Sequence, residues 1–178
     1  YPHILDSWIK SGVQIMPFSP LNNEVPDKKA DLIWLPGGYP ELYCKELSEA
    51  HLTRNALIKM SKTKKIHGEC GGYMSLGKAL INKNGDTFKM FGLLGLITSY
   101  EKRKLHLGYR LAKIKSNINH YSKSKTIRGH EFHYSSIISQ PDQELYHVYD
   151  ANNNKVSETG SIKGNVTGTF FHLISGVE

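Results

Sequence analysis

The chain is poor in cysteine: Cys44 and Cys70 are the only two in 178 residues. Two cysteines cannot build a disulfide framework, so the fold has to rest on a packed core. Such a sequence reads as that of a reducing, cytoplasmic compartment. No apolar run approaches the length of a membrane span, and no signal-peptide pattern is visible, although the chain starts at Tyr1 rather than Met. Internal repeats, low-complexity tracts and long linkers are absent too. Acidic residues are the minority, 16 against 23 lysines and arginines, for a formal charge of +7. The lysines are scattered beside Asn, Ser and Asp, and no aromatic–basic stripe appears. That pattern is a solvated surface rather than a nucleic-acid footprint. An anionic small-molecule substrate stays compatible with it. What remains is a length suited to one domain and an ordinary hydrophobic content of 39%.

Within this plain background one stretch is unusual, Gly68-Glu69-Cys70-Gly71-Gly72. It sits between a short apolar run, Lys65 to His67, and a helical pattern over Tyr73 to Leu80. A strand that turns sharply into a helix needs small residues around the bend. A cysteine at the bend is expected to be lifted from the sheet edge toward solvent. There it would face the positive end of the helix, which favours thiolate. A lone cysteine is more often a small core residue. The flanking glycines, which a core cysteine does not need, favour a nucleophile elbow with Cys in place of Ser.

The rest of the first half alternates helices and strands. Ile4 to Ile9 has helical spacing and stops at Gly12; Val13 to Phe18 reads as a strand. Asp31 to Leu35 reads as a buried parallel strand ending at Pro36-Gly37-Gly38-Tyr39-Pro40. Glu41 to Met60 is helical with a break near His51. Lys65 to Glu69 is the strand before the elbow. The second half changes to strands over Leu93–Tyr100, Lys104–Lys115, Thr126–Ile138 and Glu144–Tyr149, with Val166 to Leu173 as the last. The expected class is α/β: a mostly parallel sheet flanked by helices, with an antiparallel extension in the second half.

Ligands of open parallel sheets bind at the carboxyl ends of the strands, where both glycine turns fall. Backbone N–H groups of Gly38 and Gly71 could hold a developing oxyanion, although a bare tight turn is the plainer account of Gly37-Gly38. A cysteine nucleophile needs a base close in space. His172 follows Gly168-Thr169-Phe170-Phe171 and could face Cys70 from the same sheet; His67 reads as structural. His130 and His133, three apart in an extended segment, point to opposite faces and make a poor metal pair. With no H-E-x-x-H pattern, no protein-bound metal is expected. Gly72-x-x-x-x-Gly77-Lys78 approaches a phosphate loop, but Ala79 stands where magnesium needs a hydroxyl.

Taken in order, Pro36-Gly37-Gly38-Tyr39-Pro40-Glu41-Leu42, Gly68 to Met74, Leu107-Gly108-Tyr109-Arg110, Gly129-His130-Glu131-Phe132-His133-Tyr134 and Gly168 to His172 form a specific set. Over nearly the whole chain this resembles the glutamine amidotransferase domain of the cobyrinate/hydrogenobyrinate a,c-diamide synthase family, a class I-type fold. The resemblance implies a glutaminase domain spanning residues 1–178. It would supply ammonia for ATP-dependent amidation of the a- and c-acetate carboxylates of a corrin, in cobalamin biosynthesis. It implies L-glutamine as substrate, Cys70 as nucleophile, His172 as base, and Gly38 and Gly71 as oxyanion donors. ATP and Mg²⁺ would belong to a separate N-terminal synthetase domain that this chain lacks, and the first strand of the sheet is expected before Tyr1. No nucleic acid or membrane is implied, and the full enzyme would be a homodimer. Class I relatives often carry Glu two residues after the catalytic His; here that position is Ile174. Glu69, Glu131 and His133 are candidates for polar support, with Glu178 a weaker one. A glutaminase for another acceptor, cobyric acid or a cell-wall precursor, and an inactive structural remnant are the competing readings.

Overall fold

The computed structural model describes residues 2–115 and 126–177. The first half builds α1 (Pro2–Lys10), β1 (Leu32–Leu35), α2 (Cys44–Glu49), α3 (His51–Met60), β2 (Lys65–Glu69) and α4 (Gly71–Leu76). The second half is almost all strand. It runs through β3 (Ala79–Ile81), β4 (Thr87–Lys89), β5 (Ile97–Ser99), β6 (His106–Ile114), β7 (Thr126–His133) and β8 (Ser136–Ser139). The remaining strands are β9 (Gln143–Glu144), β10 (Tyr146–Tyr149), β11 (Ser161–Lys163), β12 (Val166–Thr169) and β13 (Phe171–Val177).

Three sheets result. The first has the order β1-β2-β12-β11-β9, with β1, β2 and β12 parallel and the rest antiparallel. The second, β10-β6-β7-β13, is wholly antiparallel. The third, β4-β3-β5-β8, mixes both senses. The α/β reading and its antiparallel extension therefore hold, and the extension is the larger part. Every residue of β12, and all of β2 but Lys65, is buried, as central strands covered on both faces must be. One core joins Ile33, Leu35, Ile66, Tyr73, Leu76 and Phe170; a smaller one joins Ala112, Ile127, Val148 and Phe171 under the second sheet.

Four expectations change, the first being the run Thr126–Ile138, which divides into β7 and β8 in two different sheets. Val13 to Phe18 forms no strand: β1 pairs only with β2, and Val13 and Ile15 stand 49% and 42% exposed with no ladder to join. The elbow helix stops at Leu76 instead of Leu80. Gly77 caps it through an N–H bond to the Met74 carbonyl, and its extended backbone hands the chain to β3. The final run is two strands in two sheets, broken at Phe170, where the Phe171 N–H donates to Thr169 Oγ1 at 3.0 Å.

Gly72 sets how close the elbow lies to the sheet. A Cβ there would fall on the carbonyl of Leu35, the last residue of β1. Gly72→Ala is expected to destabilise the fold by roughly 1–3 kcal/mol, the usual cost of overpacking. A urea midpoint unchanged from the parent would mean that this contact is not tight.

Candidate active site

Cys70 joins β2 to α4 with φ 49° and ψ −103°, a strained conformation for a residue with a side chain. Such backbone costs on the order of 1–3 kcal/mol and persists only where the surroundings hold it. Here the Cys70 N–H donates to Thr169 O (2.8 Å), Gly72 N–H to Pro36 O (3.0 Å), and Met74 N–H to Cys70 O (3.0 Å). The elbow is thus pinned to β12, to the turn after β1 and to its own helix.

The side chain does not reach solvent as expected. Cys70 is only 6% exposed, and its Sγ–H points at the Phe132 carbonyl on β7, 3.6 Å away. Burial pushes the thiol up to about 12. The Gly71 N–H pulls it down, and the negative charges of Glu69, Glu41 and Glu131 push it up again. The expected thiolate stabilisation is outweighed, because a six-residue helix and one amide are set against burial and three carboxylates. In the ligand-free chain, alkylation of Cys70 by iodoacetamide at pH 7–8 is expected to be slow and to rise steeply with pH. Fast labelling at neutral pH would contradict the burial.

His172 arrives from the second sheet, as the second residue of β13, and not from the sheet that carries Cys70. Its Nδ1–H donates to Glu69 Oε1 at 3.0 Å; the other Glu69 oxygen accepts a longer bond, 3.4 Å, from the Leu173 N–H. A carboxylate only accepts, so this bond fixes the tautomer and makes Nε2 the proton-accepting nitrogen. Glu69 immediately precedes Cys70, so the carboxylate that holds His172 and the thiol share one strand end. His130, opposite His172 in the register, stacks on it with ring centroids 5.0 Å apart and planes 19° from parallel.

Gly37 lies between the two reactive groups. A Cβ there would come within 2.8 Å of His172 Cε1 and 3.8 Å of Cys70 Cβ. Gly37→Ala is therefore expected to displace the imidazole and to slow any reaction that the Cys70–His172 pair carries out by about 10²-fold, the scale of an ångström of misplacement. Turnover within a factor of two would place the imidazole elsewhere. The neighbouring Gly38 amide lies against Gly71, where an added Cβ would meet Gly38 N at 2.6 Å. The two oxyanion candidates are thus side by side, and the Gly71 amide faces the sulfur.

The other candidates gather one layer away. Glu131, 2% exposed, accepts from His133 Nε2–H (2.8 Å) and Arg110 Nε–H (2.7 Å). Burial would raise its carboxyl, but those two donors hold it below the usual carboxylate range. His133 also stacks on Phe170, with centroids 3.9 Å apart. Glu131 and His133 thus brace β7, whose Phe132 carbonyl covers Cys70, and do not orient His172. Glu178 lies outside the described residues. His67 donates or accepts at Thr167 Oγ1 (2.8 Å) and meets the Trp34 ring at a tilt of 52°, within the first sheet.

Sequence reasoning missed His106, which faces His133 across β6 and β7. His106, Glu131 and His133 offer ligand atoms within 4.8 Å of one another. However, the two rings are stacked 2° from parallel, so their lone pairs lie in separate planes. Both oxygens of Glu131 already carry hydrogen bonds, one from an arginine. The trio is an ion-paired brace, poorly shaped for a cation. Among the described residues no helix is long and apolar enough to cross a membrane.

The hydrogenobyrinate a,c-diamide synthase of Rhodobacter capsulatus is 52% identical over 176 residues, covering 99% of this chain and 40% of that protein. The enzyme of the same name from Mesorhizobium japonicum is 45% identical, covering 98% and 40%. The chain thus spans about two fifths of the length of these relatives. A solved glutamine amidotransferase shares the fold at a TM-score of 0.60 and 12% identity, over 94% of this chain and 82% of that one. The chain belongs to the CobB/CobQ-like glutamine amidotransferase domain family, whose model matches residues 8–177.

Proposed function

We propose that this chain is the glutamine-hydrolysing part of an ATP-dependent amidating enzyme whose acceptor is a corrin carboxylate. The observation that carries the reading is the strained Cys70 elbow with His172 held at its Nδ1 by Glu69. The acceptor follows from the relatives' names, hydrogenobyrinate a,c-diamide synthase.

In this reading the thiol attacks the side-chain carbonyl carbon of glutamine as His172 Nε2 takes its proton. A buried thiol near 12 makes attack concerted with proton transfer a better route than a standing thiolate. The N–H groups of Gly38 and Gly71 hold the oxyanion. His172 then gives its proton to the departing nitrogen, ammonia leaves, and a glutamyl thioester remains on Cys70. Water, deprotonated by His172, hydrolyses the thioester to glutamate and regenerates the thiol.

Activation of the acceptor needs ATP and Mg²⁺, and the stretch that most resembles a phosphate loop does not fit them. Gly72 lies inside α4, Gly77 caps its end and Ala79 begins β3, so the stretch from Gly72 to Lys78 is a helix and its cap, not a phosphate-cradling loop. ATP, Mg²⁺ and the corrin are assigned to the part of the enzyme beyond this chain. The test is nitrogen transfer from amide-¹⁵N glutamine. Joined to the remaining part of such an enzyme, with ATP–Mg²⁺ and hydrogenobyrinate or cobyrinate, the chain should place ¹⁵N in the corrin. Transfer to neither corrin would overturn the acceptor. Calorimetric titration of the chain alone with ATP–Mg²⁺ should give no binding heat, and tight binding would overturn the division of labour.

A further inference from the structure

The mechanism leaves one group beside the nucleophile unused. Glu41 follows the Gly37-Gly38 turn, in the 3-10 turn Pro40–Leu42. Its Oε2 is buried and has no hydrogen-bond partner among the described residues. The other carboxylates buried around the site differ. Glu69 binds His172 and the Leu173 amide, Glu131 binds His133 and Arg110, and Glu158 binds the Gly160 amide and Thr169. Among the described residues Glu41 is the one carboxylate with such an orphaned oxygen, and a buried polar atom without a partner is costly unless a ligand completes it.

We propose that Glu41 Oε2 receives the α-ammonium group of glutamine, so that the site selects a free α-amino acid and not simply a primary amide. The proposal rests on the glutaminase reading and adds to it a specificity residue. The chemistry is complementary. The Gly38 and Gly71 amides donate and suit the amide oxygen, while Glu41 only accepts and suits a cation. Burial is the main cause that raises the Cys70 and Tyr100 groups; the negative charge of Glu41 adds to both, and the Tyr100 hydroxyl also hydrogen-bonds the Glu41 carboxylate, which leaves Oε2 as the oxygen still to be completed. An ammonium on Glu41 cancels one of the charges that keep the thiol protonated, so substrate binding itself favours loss of the thiol proton. The other charged and titratable groups facing Cys70 are Glu69 beside it, Glu131 on β7, His172 on β13 and Tyr100 after β5.

The test is calorimetry on Cys70→Ala protein, which binds without turning over. The probes are L-glutamine and 4-carbamoylbutanoate, which is glutamine without its α-amino group. Adding Glu41→Gln should weaken L-glutamine roughly thirtyfold, the weight of one charge-assisted hydrogen bond. It should change 4-carbamoylbutanoate less than threefold. Equal losses for both ligands, or no loss for glutamine, would overturn the proposal. Glu41→Gln should also melt no lower than its parent, because an orphaned buried charge has been removed. If it does not fold, Glu41→Asp, which pulls the carboxylate back by one carbon, should again weaken glutamine selectively, and an unselective loss would count against the proposal. Glutamine binding that depends on Glu41 in a protein whose unsubstituted form never hydrolyses glutamine would sink the glutaminase reading and leave this one standing.

Discussion

Replacing Cys70 by alanine in the complete enzyme is expected to abolish glutamine-driven amidation while ammonia-driven amidation survives. The nucleophile is needed to release ammonia and not to activate the acceptor. Cys70→Ser should behave alike, because a buried hydroxyl is a far weaker nucleophile than a thiol passing its proton to His172. Cys44 is the internal control. It is buried, its Sγ–H donates to the Pro40 and Glu41 carbonyls at 3.4 Å, and burial with the Glu41 charge raises it to about 11. Cys44→Ser keeps a donor in that place and should be nearly silent. The assay follows amidated product with glutamine or ammonium as nitrogen source. Glutamine-driven turnover surviving in Cys70→Ala would dismiss the elbow as a catalytic feature.

His172→Ala should slow glutamine hydrolysis by roughly two to four orders of magnitude, the range of lost general acid–base help. Glu69→Gln should cost less. The amide oxygen can still accept from Nδ1–H, and what goes is the negative charge that stabilises the imidazolium. Glu131→Gln and His133→Gln belong to the brace on β7 and should appear mainly as lost stability. Steady-state kinetics and thermal melts on the four variants separate the roles. A mild His172→Ala beside a severe, well-folded His133→Gln would move the base to β7.

The legible parts of the sequence were those governed by local rules. Glycine punctuation placed the elbow, and the strand Lys65–Glu69 appears as read, because a tight turn leaves few alternatives to small residues. The parallel β1–β2 pair followed from two short apolar runs. Burial of Cys70 was not legible, because its cover is a backbone carbonyl of β7, 62 residues on. Nor was the sheet that carries His172. Gly168 to His172 is unbroken in composition, and the break at Phe170 comes from a side-chain hydroxyl capturing a backbone amide. Glu69 could be named a candidate from its place beside Cys70. Its choice of His172 over the other histidines depends on a contact across 103 residues. The missing strand over residues 13–18 failed for the opposite reason: its apolar residues suit a strand, but no neighbour pairs with them.

Cys70 sits at the end of one sheet and His172 on another, and a single residue of chain, Phe170, joins β12 of the first to β13 of the second. Phe170 is wedged between the His133 ring on β7 and the Tyr73 ring on α4. That arrangement works as a clutch. An ångström of shear between the two sheets would be enough to shift His172 relative to Cys70, a displacement on the scale that costs about 10²-fold in rate. Substitutions that trim Phe170 should therefore idle the enzyme while every reacting group is still present.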